Sequence, residues 1–181
     1  MPLVVRSRTR DLVLSALFAA LIAASAIVAI PLGEVPFTLQ TLLVVLAALA
    51  LTPAVAAGAV GTYVLAGAVG LPVYAGGKAG LAVLAGPTGG FLLGFVFGAW
   101  LGAKVRSALG RRLPVLAADI VSVCVVLGVT YLAGWAQLAL VTGMGARAAL
   151  VAGVLPFVPV DVLKGVGAII VVGALRRARL V

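Results

Sequence analysis

Residues 11–30 read DLVLSALFAALIAASAIVAI, and this stretch decides the fold class. After Asp11 it carries no charge, and about 20 residues at ~1.5 Å each span ~30 Å, the thickness of one hydrocarbon core. The preceding segment, with Arg6, Arg8 and Arg10, superficially resembles a signal peptide. Because the run is longer than a typical signal-peptide core and further apolar runs follow, we predict a retained first membrane helix.

The whole chain has the composition of a bilayer protein. Of 181 residues, 65% are hydrophobic and 9% charged, whereas soluble domains are about half apolar and a quarter charged. The net charge of +9 would suggest nucleic acid in a soluble protein, but the basic residues cluster at the ends of apolar runs. We therefore predict an all-α membrane protein surrounded by lipid, with no nucleic-acid partner and a single domain over residues 1–181.

Apolar runs punctuated by Gly and Pro predict six transmembrane helices. The second and third runs are short or interrupted by glycine, and a glycine-dense loop follows over residues 71–80. A short helix over residues 146–155 stops at the turn Pro156–Pro159. The predicted spans are roughly 11–30, 39–51, 54–70, 89–104, 114–140 and 160–175.

The basic residues orient these spans. With six spans, both termini and the basic loop Lys104–Arg112 share one side, which holds ten of the thirteen Lys and Arg residues. Lys78, Arg147 and Lys164 fall towards the other side. The positive-inside rule then predicts a multi-pass plasma-membrane protein with both termini in the cytoplasm.

The acidic residues are few enough to weigh singly. Asp11 fits a charge at a helix N-terminus, and Glu34 fits a solvated turn. We expect Asp119, near the inner end of the fifth span, to form a local ion pair with Arg111 and Arg112. With no His and one Cys in the chain, no catalytic triad or metal cluster can be assembled, so we predict neither an enzyme nor a metal site.

Asp161 and Lys164 differ from the other charges because they lie inside an apolar span. Pro159 suits the first turn of a helix, and the i, i+3 spacing places Lys164 on the same face as Asp161, one turn deeper. Such residues usually face the bundle interior or a cavity. They form either a self-neutralising structural pair or, as we favour, a polar ligand site. Gln40 also enters an apolar span, where helix–helix contact and ligand binding are about equally expected.

Two glycine-rich segments, Tyr74–Gly77 and Gly86–Phe91, lie at the predicted outer mouth. Glycine lets backbone groups approach a ligand closely, and Tyr74 and Thr88 add an amphipathic ring and a hydroxyl. The second segment lacks the spacing of a phosphate-binding Walker A loop. A tight structural turn is the competing interpretation.

Four segments, taken in order, closely resemble the BioY family, the biotin-specific S component of energy-coupling-factor (ECF) importers. They are Val35–Thr41, Gly70–Gly77, Gly86–Leu92 and Pro156–Lys164. The Gly-Pro-Thr-Gly-Gly-Phe and Asp-x-x-Lys segments are the more specific parts. The resemblance implies a six-helix fold that captures biotin from outside, as a transported substrate with no cofactor.

The resemblance also implies partners and site residues. The partners are a transmembrane coupling subunit, which would dock on a small-xxx-small face of the first span, and two cytoplasmic ATPases. That face comprises Ala16, Ala19, Ala20, Ala23 and Ala24. The implied biotin site comprises Gln40, Tyr74, Gly76, Gly77, Pro87, Thr88, Gly89, Asp161 and Lys164. Lys78 departs from the usual family pattern, and either contacts the ligand or faces water.

Three other functions remain to be weighed. An S component for another vitamin would share the fold but differ in its ligand. A self-sufficient secondary transporter or small channel would need proton- or sodium-linked carboxylates inside its spans, of which Asp161 is the clear example. A purely structural subunit would bind no small ligand saturably.

Overall fold

The computed structural model of the chain describes residues 8–179, so Arg6, counted above among the basic residues, lies outside the described part. Over that range the chain forms eight α-helices and one two-stranded antiparallel sheet. The elements are α1 (Arg8–Ile27), β1 (Ile30–Leu32), β2 (Val35–Phe37), α2 (Gln40–Ala50), α3 (Pro53–Ala68), α4 (Leu81–Ala85), α5 (Gly89–Leu109), α6 (Val115–Thr142), α7 (Ala146–Gly153) and α8 (Val158–Arg177).

The long helices define two ends of the molecule. At one end the Lys164 ammonium, near the start of α8, donates to the carbonyl of Thr38, just before α2. At the other end the Arg176 guanidinium, in the last turn of α8, donates to the carbonyl of Leu49 on α2. α2 and α8 therefore run parallel. We call the first end the pocket end and the second, where the described Arg residues of α1, α5 and α8 collect, the basic end.

Four helices, α1, α5, α6 and α8, are long and apolar enough to cross a membrane. α2 has 11 residues and α3 has 16, both apolar but shorter than a straight crossing requires. Their connection, Thr52 followed by Pro53 in the first turn of α3, ends one helix and starts the next because proline fits the first turn but cannot continue α2.

α5 and α6 pack closely because glycines leave room for the facing backbone. A Cβ atom added at Gly90 would lie 2.3 Å from the Ala133 carbonyl oxygen, and one at Gly94 would lie 2.8 Å from the Thr130 Cα. The glycines recur every four residues, the small-xxx-small pattern of close helix pairs in membranes. This contact fixes the α6 residues around Thr130 against α5.

Two boundaries differ from the sequence predictions. The first helix ends at Ile27, and the residues up to Phe37 form a hairpin that was not predicted, with Leu32 paired to Val35 across its turn. α5 continues to Leu109, so Lys104 and Arg106 are helical and do not belong to a loop. Both errors arise because apolarity alone does not mark where a helix stops.

The predicted partners of Asp119 were wrong. Asp119 is 2% exposed, and its carboxylate accepts from the Arg106 Nε at 2.8 Å and the Arg176 Nη1 at 2.6 Å. Arg111 and Arg112, its neighbours in sequence, form no ion pair with it. The observed cluster joins α5, α6 and α8 at the basic end.

Candidate functional site

A cavity at the pocket end collects residues from seven parts of the fold. The hairpin and the start of α2 form one wall, the loop after α3 and α4 another, and α5, α6 and α8 the rest. Its lining residues are Pro36, Thr38, Gln40, Thr41, Tyr74, Ala75, Lys78, Val83, Thr88, Phe91, Leu92, Phe95, Thr130, Tyr131, Phe157, Asp161 and Lys164. An apolar cavity with a few polar groups is the usual form of a small-molecule site.

Asp161 and Lys164 form a buried ion pair in this cavity. The two residues are 4% and 8% exposed, and the Lys164 Nζ lies 2.7 Å from the Asp161 Oδ1. Pro159 at the start of α8 places Asp161 in its first turn, where the helix dipole stabilises a carboxylate. Lys164 also donates to the Thr38 carbonyl at 2.7 Å and lies 4.0 Å from the centre of the Phe37 ring.

The Asp161 carboxylate keeps capacity for a ligand. Its Oδ2 accepts from the Tyr131 hydroxyl at 2.7 Å, and its Oδ1 accepts from Lys164. Each carboxylate oxygen has two lone pairs, so further N–H donors can be bound without displacing either neighbour. The site is thus a charge-balanced pair that presents acceptors to the cavity.

Gln40 is already engaged by the protein. Its Oε1 accepts from the Thr38 hydroxyl at 2.9 Å, and its Nε2 donates to the Tyr63 hydroxyl. Both groups of the Gln40 amide therefore have an internal partner, and the bond to Tyr63 connects the start of α2 to α3, while Gln40 also lines the cavity. The observed contacts are those of helix–helix packing, and ligand binding by Gln40 stays a prediction.

Two neighbouring α6 residues in the lining were missed by the sequence analysis. Tyr131 orders Asp161, as described above. Thr130 is 2% exposed, and its hydroxyl has no hydrogen-bond partner among residues 8–179. The sequence did contain a signal for these two residues. Two consecutive hydroxyl side chains inside an apolar span need hydrogen-bond partners, which marks them as candidates for a polar site.

Two further polar lining residues come from the loop after α3. Tyr74 and Lys78 pair across a tight turn, with the Tyr74 N–H donating to the Lys78 carbonyl at 2.9 Å. The Tyr74 hydroxyl donates to the Val64 carbonyl at 2.6 Å, and burial raises the pKa of this phenol, so it remains a donor. The Lys78 side chain is exposed, and no partner for its ammonium lies within the described chain.

Four predicted site residues do not line the cavity. Gly76 and Gly77 have φ values of +68° and +77° and form the turn that places Tyr74 beside Lys78, a conformation that favours glycine. Gly89 packs against the Leu84 carbonyl, where a Cβ atom would lie 1.8 Å from the oxygen. Pro87 is half-buried in the same loop. These residues shape the site from behind its surface.

The loop that carries Thr88 is held by α6. The Gln137 amide donates to the carbonyls of Leu84 and Gly86, at 2.7 and 2.8 Å. Thr88 then follows at the start of α5 and lines the cavity. Gln137 was not singled out in the sequence, because nothing near it marks its partners 51 and 53 residues away.

The alanine face of α1 divides into two parts. Ala19 is 7% exposed and lies in the core of the chain itself, and Ala23 is half-buried, so Ala19 is not available to another subunit. Ala16, Ala20 and Ala24 are exposed and follow one another at i, i+4 spacing. The expectation of a docking face is therefore narrowed to these three residues.

Comparisons with known proteins agree on one family. The BioY family model matches residues 2–180. The chain is 40% identical over 171 residues to the biotin transporter BioY of Thermotoga maritima, covering 94% of this chain and 95% of that protein. It is 41% identical over 169 residues to the biotin transporter BioY of Rhizobium etli, covering 87% and 88%.

One solved structure has the same fold. It is an S-component for biotin from an ECF-type ABC transporter, and the match has a TM-score of 0.87 and covers 97% of this chain and 95% of that one. The two chains are 24% identical, so this likeness concerns the arrangement of the helices.

Proposed function

The chain belongs to the BioY family, and from this premise we propose that it is the biotin-binding S component of an ATP-driven ECF importer. It binds and transports biotin and catalyses no reaction. The observation that carries the proposal is the buried Asp161–Lys164 pair in the cavity wall, whose carboxylate retains free acceptor capacity. The relatives in Thermotoga maritima and Rhizobium etli, both biotin transporters, support the choice of ligand.

The ureido ring of biotin matches the buried pair. The ring has two N–H donors and one C=O acceptor. Asp161 accepts from an N–H, while the unpartnered Thr130 hydroxyl or the remaining N–H of Lys164 donates to the C=O. The bonds to Asp161 and Lys164 are strong because one partner is charged and water is excluded.

The carboxylate of biotin has a different partner. Lys164 is already neutralised by Asp161 at 2.7 Å, so a second carboxylate gains little from it. Lys78 lines the same cavity and is exposed, and no acidic residue within residues 8–179 pairs with it. We assign the valerate carboxylate to Lys78, with Thr88 as a hydroxyl donor, and the aliphatic part to Phe91 and Tyr74.

Biotin entry requires the cavity to widen. The open space within it measures about 80 Å³, whereas small-molecule sites are usually ~300 Å³ or larger. We assign the movable wall to the hairpin β1–β2, which is short, packs on the bundle through Val35 and contacts Lys164 through Phe37 and the following Thr38. Ligand binding then favours one of two cavity states.

We further propose a single membrane domain with six spans and both termini in the cytoplasm. The shorter α2 and α3 supply the two spans beyond the four long ones. The positive charges of the basic end support an orientation in the plasma membrane in which that end faces the cytoplasm. A transmembrane coupling subunit would dock on Ala16, Ala20 and Ala24, and two ATPases would supply the energy.

Equilibrium titration of biotin into the purified chain, alone in detergent, tests this function. We expect saturable one-to-one binding that is lost in the double variant Asp161→Asn/Lys164→Gln. The matched control, Glu34→Gln/Arg147→Gln, removes the same two charges from exposed positions and should bind like the wild type. Absence of saturable binding by folded wild-type protein would reject the proposal.

A further inference from the structure

The basic end contains a second polar site, unrelated to the cavity. A cleft of about 330 Å³ opens between α2, α5 and α8. Its walls are Leu49, Ala50, Leu51, Thr52, Arg106, Ser107 and Arg176. Its volume falls within the range of small-ligand sites, and nothing in the biotin-binding proposal uses it.

The charges in this cleft are not balanced. Two guanidinium groups, those of Arg106 and Arg176, share the single carboxylate of Asp119. Arg106 uses only its Nε in that contact, and its two terminal amino groups have no protein partner within residues 8–179. The side chain of Arg106 is 25% exposed, so these amino groups are accessible to an anion from outside.

Hydroxyl groups accompany the arginines. Thr52 lies at the N-terminus of α3, where its side chain makes no capping hydrogen bond. The Ser107 hydroxyl donates to the Ala103 carbonyl at 2.9 Å, and this O–H can rotate to donate to a phosphate oxygen instead. A guanidinium fork with nearby hydroxyl groups is suited to a phosphate or phosphate ester.

The outer face of α5 connects this cleft to the lipid. Leu93, Phe97 and Trp100 are 41%, 61% and 40% exposed, and they lie on the same helix face as Lys104 and Ser107. The Lys104 Nζ lies 4.9 Å from the centre of the Trp100 ring, a pairing typical of the membrane–water boundary. An acyl chain packed along this stripe therefore ends with its headgroup at the cleft.

The dimensions of the stripe agree with this arrangement. Phe97 and Ser107 are ten residues apart, or ~15 Å along the helix, which is half of the ~30 Å hydrocarbon core. From these observations we propose that the α2–α5–α8 cleft binds the phosphate of an anionic phospholipid, with Arg106 as its main contact. A neutral or zwitterionic lipid would gain less, because the cleft carries an excess positive charge.

Native mass spectrometry of the detergent-solubilised chain tests the proposal by titration with dioleoyl phosphatidylglycerol and, separately, dioleoyl phosphatidylcholine. We expect phosphatidylglycerol to bind about fivefold more tightly, the effect of roughly one basic residue at a membrane surface. Arg106→Gln should reduce this preference below about twofold. Arg147→Gln, which removes the same charge at the pocket end, should leave it unchanged.

A second variant guards against unfolding. Ser107→Leu fills the cleft at an exposed position and leaves Arg106, Asp119 and Arg176 in place, so it should also abolish the preference. If both cleft variants keep the wild-type preference, or if Arg147→Gln lowers it equally, the cleft is not the lipid site. Displacement of the lipid by equimolar glycerol 3-phosphate would instead identify a site for soluble phosphate esters and overturn the lipid assignment.

Discussion

Two buried carboxylates, Asp161 at the pocket end and Asp119 at the basic end, face basic side chains in different ways. Asp161 takes its cation from its own helix, three residues along the chain, and shares its other oxygen with the neutral Tyr131. Asp119 takes its cations from two other helices, at Arg106 and Arg176. The first pair leaves acceptors open to a cavity, whereas the second connects three helices.

The difference shows how one kind of interaction serves two purposes. An ion pair within one helix does not by itself connect two helices. The free-energy cost of burying its two charges must therefore be offset by the other groups that the pair contacts. A carboxylate shared by arginines from separate helices fixes their relative positions. We therefore expect substitutions at Asp161 to change ligand affinity as well as stability, and substitutions at Asp119 to change stability alone.

The largest expected effect is that of Asp161→Asn on biotin binding. The substitution leaves Lys164 buried without a charged partner and removes the proposed acceptor for the ureido N–H, which we expect to weaken affinity about 100-fold. Isothermal titration calorimetry on the purified chain measures it. An affinity within twofold of the wild type, in protein that remains folded, would contradict the assignment of the polar end of the site.

Asp119→Asn is expected to lower the stability of the protein and to leave its biotin affinity nearly unchanged. Removing this carboxylate leaves two partly exposed guanidinium groups without compensation, and we expect a loss of about 2 kcal/mol in the free energy of unfolding. The apparent melting temperature should fall by roughly 5 °C, while biotin affinity stays within twofold. If Asp119→Asn instead weakened binding as much as Asp161→Asn, the division between the two ends would be wrong.

The same difference explains why the ion-pair partner of Asp161 could be predicted from sequence and the partners of Asp119 could not. The Asp161–Lys164 contact is encoded in helix periodicity, since i, i+3 residues share a face. The partners of Asp119 are 13 and 57 residues away, and the nearer arginines of the loop were chosen instead. Local geometry is readable from one chain, but the meeting of distant helix ends depends on tertiary packing.

The same limit applies to the elements. The four helices that are long and apolar enough to cross a membrane were predicted because each is a long apolar run, a signal that requires no tertiary information. The hairpin Ile30–Phe37 was missed because residues 31–38 were assigned to the loop between the first two spans, and strands of three residues that each contain a proline carry little strand signal. Thr130 and Tyr131 were missed because a hydroxyl inside a span usually serves helix packing, and only the fold brings these two to the cavity.

Lys78→Gln tests whether the exposed end of the cavity recognises charge. We expect about tenfold weaker binding of biotin, because one charge-assisted hydrogen bond to the carboxylate is lost. Binding of biotin amide, which lacks the carboxylate, should change less than twofold. Arg147→Gln is the control, since it removes a positive charge from the same end without lining the cavity. Equal losses for biotin and its amide would place the carboxylate elsewhere.

The smallest expected effect, that of Thr130→Val, examines the buried side of the site. Thr130 is 2% exposed and its hydroxyl is unpartnered within the described residues, so the isosteric valine removes a buried polar group without breaking a protein hydrogen bond. We expect the melting temperature to stay constant or rise, while biotin affinity falls about fivefold through the loss of one neutral hydrogen bond.

Thr130→Ser separates ligand binding from packing, because it keeps the hydroxyl and deletes the methyl group. Affinity should therefore return towards the wild-type value in Thr130→Ser, even if its stability falls slightly. If valine leaves the affinity unchanged, the recognition of biotin at the pocket end rests on the charged pair alone. In that case the open acceptors of Asp161, and not a ring of neutral hydroxyl groups, distinguish this end from the cluster around Asp119.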